Sequence, residues 1–155
     1  MRIQQSVQVV EVMALGMDPP VVLDASTPLR KVLRKMSDAR AGCAMLTRDG
    51  ALAGIFTERD AVQRVSIATG ALDQPASDWM TPDPERVTQT DPIGRAVRLM
   101  VRRGFRHVPI VDDAGHVVGC VRHKDILGYL AEHFPEQVLN LPPDPDQIVT
   151  EREGG

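Results

Sequence analysis

Gly54-Ile55-Phe56-Thr57-Glu58-Arg59-Asp60 is the stretch on which the fold turns, because Gly119-Cys120-Val121-Arg122-His123-Lys124-Asp125 repeats its shape at an offset of 65 residues (54 to 119). Upstream, Ser26-Thr27-Pro28-Leu29-Arg30-Lys31-Val32-Leu33-Arg34-Lys35-Met36 is matched by Thr90-Asp91-Pro92-Ile93-Gly94-Arg95-Ala96-Val97-Arg98-Leu99-Met100, at an offset of 64 (28 to 92). One extra residue therefore lies in the second copy, and a hairpin turn is the natural place to absorb it. Asp112-Asp113-Ala114-Gly115, opposite Arg48-Asp49-Gly50, is that place.

Both copies read in the same order. Leu29, Val32, Leu33 and Met36 fall on one helical face, as do Ile93, Ala96, Val97 and Met100, so each copy carries an amphipathic helix. Pro28 and Pro92 suit the first helical position, with Thr27 and Asp91 as N-caps. Cys43 to Thr47 and His107 to Val111 are short apolar runs that enter Gly-containing turns, and Leu52 to Phe56 and Val117 to Val121 complete a hairpin in each copy. A second helix starts near Thr57 and near Arg122. Pro20 to Leu23 and Glu85 to Thr88 add a third strand to each copy, and Pro109 implies an unpaired edge or an irregular start in its strand.

The resulting division is an N-terminal extension at 1–9, a first repeat at 10–70, a second at 71–134, and a Pro-rich charged tail at 135–155, extended and mobile or docked on a neighbouring surface. A copy of about 60 residues is marginal alone, so two copies packed sheet to sheet are expected.

Composition narrows the function. With 43% hydrophobic and 25% charged residues the chain reads as a folded soluble protein. A net charge of −3 offers no general attraction to nucleic acid or anionic lipid. Aromatics amount to 3%, too few for a base-stacking platform. Nucleic acid is the lowest-ranked partner, although Arg98, Arg102, Arg103 and Arg106 form a basic run. No membrane span or signal peptide is expected, and Cys43 and Cys120 read as buried reduced thiols, so the cytoplasm is the expected compartment.

The order strand, helix, strand, strand, helix, with Gly-apolar-apolar-Thr-x-x-Asp at the last strand-to-helix junction, resembles the cystathionine-β-synthase (CBS) domain. Gly54 to Asp60 fits that pattern completely, Arg106 to Asp112 is similar to its second-strand signature, and Trp79-Met80-Thr81 resembles its opening segment. The resemblance spans Val10 to Phe134 and implies an α+β fold of two tandem CBS repeats about a pseudo-two-fold axis, with two clefts between the sheets. It implies AMP, ADP, ATP or S-adenosylmethionine as a regulatory ligand, with no cofactor required, and a homodimer that signals to an unidentified effector protein. Carried over residue by residue, it assigns Thr57 and Asp60 to the ribose and phosphate of a first site, with Cys43, Ala44 and Met45 around the base. A second site takes Asp125, with His107, Val108 and Pro109. Arg122 stands where the pattern has Ser or Thr, and either pairs with a phosphate or fills the pocket.

Each residue also has a plainer reading. Thr57-x-x-Asp60 has the form of a helix capping box. Asp125 is an acid in a first helical turn, which the helix dipole favours. Arg106, His107, His123 and Lys124 gather cations in the second copy, either for a phosphate or as a solvated basic face. The histidines show no metal-ligand spacing, and no Cys-x-x-Cys pair occurs. No catalytic motif is present, so the expectation is a ligand-sensing module and not an enzyme. The alternative is a ligand-free dimerisation or scaffold module.

Overall fold

The computed structural model describes residues 2–65 and 69–139. The first amphipathic helix of the first repeat, α2 (Leu29–Ala39), buries Leu29, Val32 and Met36, the positions its periodicity selects. It ends where Arg40 turns left-handed at φ 50°. Its counterpart, α4 (Ile93–Arg103), buries Ile93 and Ala96 and ends at Gly104, φ 70°, where a residue without a Cβ bears no penalty.

Strands β1 (Val22–Asp24), β2 (Cys43–Arg48), β3 (Ala51–Thr57) and β4 (Thr81–Pro82) form the first sheet in that order. The second contains β5 (Val87–Thr88), β6 (His107–Val111) and β7 (Val117–Arg122). In each, the first strand runs parallel to the second and a hairpin follows. The β2–β3 turn is made by Asp49 and Gly50, both at positive φ (51° and 82°), as a two-residue hairpin requires. The longer turn after β6 holds the extra residue, with Gly115 at φ 84°.

Pro109 sits in the central strand of its sheet, yet β5 reaches only as far as its neighbours Ile110 and Val111. At the matching position of the first repeat, the Met45 amide donates to Val21 O at 2.8 Å. Proline has no such donor, so its side of the strand is unpaired at that point.

Strand alternation divides the core into three. Ala44, Leu46 and Phe56 face α2 in one cluster, while Val108, Ile110 and Val121 face α4 in another. Cys43, Met45, Leu52, Ile55, Val111 and Cys120 form a third cluster between the two hairpins.

The lead-in segments cross over. Val12 and Leu15, at the start of the first repeat and before β1, are buried in the second repeat's core, while Ala71, Ala76 and Met80 are buried in the first. The sequence division at 70/71 therefore does not follow the packing, and β4, assigned to the second repeat, extends the first repeat's sheet. The crossing also corrects the helix starts. Pro28 and Pro92 occupy the cap positions, with no side-chain cap from Thr27 or Asp91. Instead the Leu29 amide donates to Gln74 O and the Ile93 amide to Val10 O, each at 2.9 Å. Backbone from the exchanged segment satisfies the donor that a capping side chain otherwise takes.

Helix α1 (Ile3–Val9) lies within the N-terminal extension and packs on α4, with Ser6 Oγ 2.8 Å from Tyr129 Oη of α5 (His123–His133). Towards the end of the first repeat, α3 (Glu58–Asp60) continues as a π-helical turn over Ala61–Val65. The expected extended tail begins instead as a helix, α6 (Pro135–Leu139), and residues 140–155 lie outside the described residues. Among the described residues no helix is long and apolar enough to cross a membrane.

Candidate functional site

Thr57 ends β3 and caps α3, so its side chain is held by the strand-to-helix junction. The Asp60 amide donates to Thr57 Oγ1 at 3.3 Å, while the Thr57 amide and hydroxyl donate to Asp60 Oδ2 at 2.9 and 3.0 Å. The capping-box reading is thus realised. It engages Oδ2, while Oδ1 lies 3.9 Å from Arg64 Nη1.

This pair lines a cleft of about 470 Å³ between the repeats. The first repeat contributes Gly42, Ile55, Thr57, Glu58, Arg59 and Asp60. The opposite wall comes from the second repeat, chiefly Pro84, Glu85, Phe105, Arg106, His107, Pro109 and His123. A volume of this size lies in the range of small-molecule sites. The walls combine apolar surface at Ile55, Phe105 and Pro109 with cations at Arg59 and Arg106 and acids at Glu58, Asp60 and Glu85.

The pseudo-symmetric cleft is nearly closed, at about 30 Å³, and is lined by Asp18, Cys43, Met45, His107, Cys120 and Arg122 among others. Arg122 fills it. Its Nε donates to Asp125 Oδ2 and its Nη2 to Asp125 Oδ1 and to Asp18 Oδ2, all at 3.0 Å. The Arg122 amide also donates to Asp125 Oδ2, at 2.9 Å. The hydrogen bonds to Asp125, burial notwithstanding, push the guanidinium further above its usual range. Of the two alternatives for Arg122, the geometry is the filled pocket. Both oxygens of Asp125, a buried side chain, are engaged by Arg122, so Asp125 is not offered to a sugar as Asp60 is.

Three further sequence assignments change. Cys43 and Met45 do not join Thr57 and Asp60 around one pocket but line the small cleft, whereas His107 and Pro109 face Asp60. The reason is that the hairpins oppose one another across the pseudo-axis, so each cleft takes its strand wall from the other repeat. Ala44 and Val108 line neither cleft, because the two-residue period of a strand turns them into the repeat cores. Lys124 is exposed on α5 and lines neither cleft, while Arg106 and His123 do line the large one. Sequence reasoning assigned no role to Glu58, which lies within the Gly54–Asp60 stretch itself, or to Pro84, Glu85 and Phe105, which belong to no motif and share the cleft with Asp60 only because the two repeats face each other.

His107 lines both clefts. Burial, then repulsion from His123, Arg122 and Arg106, lowers its pKa from 6.5, with Glu58 acting in the opposite sense. Among the described residues no cluster of three or more His, Cys, Asp or Glu side chains is placed to hold a metal ion.

Two strand-helix-strand-strand-helix units that exchange lead-in segments and enclose a mixed polar cleft define a tandem-repeat module. The chain belongs to the CBS domain family: the family model for the CBS domain matches it twice, at residues 9–67 and 76–132. It is similar to a CBS domain protein from Pyrobaculum aerophilum solved in complex with AMP, at 30% identity and TM-score 0.70, covering 79% of this chain and 99% of that one. It is also similar to the cytosolic domain of the Mg2+ channel MgtE in complex with ATP, at 26% identity and TM-score 0.65, covering 77% of this chain and 48% of the other. Among sequence relatives, an uncharacterized 17.7 kDa protein of Acidianus ambivalens is 28% identical over 68% of this chain and 63% of its own length. A probable arabinose 5-phosphate isomerase of Haemophilus influenzae is 32% identical over 66% of this chain. The match spans only 30% of that isomerase.

Proposed function

We propose that the chain is a regulatory module that holds a single adenosyl nucleotide in the large cleft and passes its occupancy to an effector protein. The carrying observation is that Asp60 and Thr57, from one repeat, share a cleft of about 470 Å³ with Arg106, His107 and His123 from the other. In this reading Asp60 Oδ1 accepts from a ribose hydroxyl, and Ile55, Phe105 and Pro109 enclose the base. Arg59, Arg106 and His123 face the phosphates, which favours AMP, ADP or ATP over the cationic S-adenosylmethionine. The complexes of the Pyrobaculum protein with AMP and of MgtE with ATP support this choice. A ligand that spans both walls favours one inter-repeat angle over another, which is what signalling requires.

A scaffold reading draws on a different observation. Val62 and Leu127 occupy matching positions of the two second helices and are 71% and 60% exposed. Such matched apolar side chains suit a homodimer, and that assembly is compatible with either reading.

Calorimetry with AMP, ADP, ATP, NADH and S-adenosylmethionine tests the proposal. Binding of a nucleotide, weakened about tenfold or more in Asp60→Asn by loss of a charged hydrogen bond, is expected. A folded chain that is silent across the panel leaves the scaffold, for which light scattering reads the dimer.

A further inference from the structure

Cys43 and Cys120 come from different repeats, 77 positions apart, yet their Sγ atoms stand 3.9 Å from each other. Each is 5% exposed, in the core cluster between the hairpins. A disulfide has an S–S length of about 2.0 Å, so each sulfur needs to move by roughly 1 Å, a distance within reach of side-chain rotation. The small cavity of about 30 Å³ touches both cysteines and is edged by His107 and Arg122. Its volume is that of about one water molecule, and hydrogen peroxide is only slightly larger. The hydrogen bond with Cys43 and burial push the Cys120 thiol up, with the Arg122 guanidinium acting in the opposite sense.

We propose that Cys43 and Cys120 are a peroxide-oxidisable dithiol whose disulfide staples the two repeats together. In this proposal Cys120 resolves the intermediate and the sulfur oxidised first is that of Cys43, 3.9 Å away. Its thiolate attacks one peroxide oxygen, the O–O bond breaks, and the leaving hydroxide takes up a proton to become water. The sulfenic acid formed is then attacked by the Cys120 sulfur. The S–O bond breaks, a second water leaves and the S–S bond forms, so two thiols lose two electrons and two protons while peroxide is reduced to water. The bond sits directly behind the large cleft, because Cys43 pairs with Thr57 and Cys120 pairs with Pro109 in their hairpins. Thr57 and Pro109 both line that cleft. Oxidation thereby fixes the separation of its two walls.

The test treats the folded full chain with hydrogen peroxide, blocks free thiols with N-ethylmaleimide, and reads intact mass, peptide map and melting temperature. The expected result is a monomer lighter by about 2 Da that takes up no maleimide and yields a Cys43–Cys120 cross-linked peptide. It also melts several degrees higher, and dithiothreitol reverses every change. Cys43→Ser and Cys120→Ser each leave one thiol open to maleimide after unfolding. The proposal is overturned if both thiols survive peroxide that oxidises the urea-unfolded chain. It is equally overturned by gains of about 32 Da from sulfinic acid, by cross-links between chains, or by an unchanged melting temperature.

Discussion

Arg122 Nη2 stands 3.0 Å from Asp18 Oδ2, joining the end of β7 to the segment before β1 across 104 residues of sequence. The same nitrogen lies 3.0 Å from Asp125 Oδ1, so one guanidinium ties two acids together over the smaller cleft. Thr57 occupies the equivalent place in the open cleft, where its hydroxyl meets Asp60. Arg122 in place of a threonine is one of the differences between the cleft of about 470 Å³ and that of about 30 Å³.

Arg122→Thr is expected to reopen the smaller cleft, because a threonine hydroxyl can satisfy Asp125 as Thr57 satisfies Asp60. Calorimetry then reads a second equivalent of nucleotide. Arg122→Ala is the contrasting case: it leaves the buried Asp125 carboxylate without its charged partner, keeping the backbone amide of residue 122, and costs about 3 kcal/mol in urea unfolding. Equal stability of the two variants contradicts the argument.

Gly54→Ala is expected to destabilise the first repeat by about 1–3 kcal/mol through overpacking. A Cβ at this position comes within 2.2 Å of Met80 Sδ and 3.0 Å of the Thr81 carbonyl, so the crossing segment has to move off β3. The matching change Gly119→Ala meets Ile110 Cδ1 at 3.3 Å, a side-chain end that yields by a few tenths of an ångström, and has the smaller effect. Denaturant midpoints of the two variants give the comparison.

His107 makes stability depend on acid. Its folded pKa is depressed below 6.5 by burial first and by His123 and Arg122 next, so the unfolded chain binds its proton more readily. The stability this group contributes is complete above pH 6.5 and falls as the pH drops from there through the lowered folded value, then levels off. Melting temperature against pH reads this directly, and His107→Gln flattens that part of the profile.

Val12→Ala tests the exchange of lead-in segments. Val12 is fully buried in the second repeat's core, although it belongs to the opening segment of the first repeat in sequence. Truncation is expected to cost about 2 kcal/mol, with hydrogen-exchange protection lost first around Ile93, Val108 and Ile110. Loss confined to the first repeat's core contradicts the crossing.

The repeat, its helices and hairpins, and the Thr57–Asp60 junction were legible in the sequence because their causes are local: helical spacing at Leu29, Val32 and Met36, turn residues at Asp49 and Gly50, and a cap three residues from its acid. Periodicity, turn chemistry and capping act over a few residues, so the linear order carries them. Which wall meets which acid was decided only in three dimensions. The repeats exchange their lead-in segments and oppose their hairpins, bringing His107 to face Asp60, Asp18 to Arg122 and Cys43 to within 3.9 Å of Cys120. Contacts between residues far apart in sequence depend on how whole sheets and helices pack, and no short-range pattern encodes that choice.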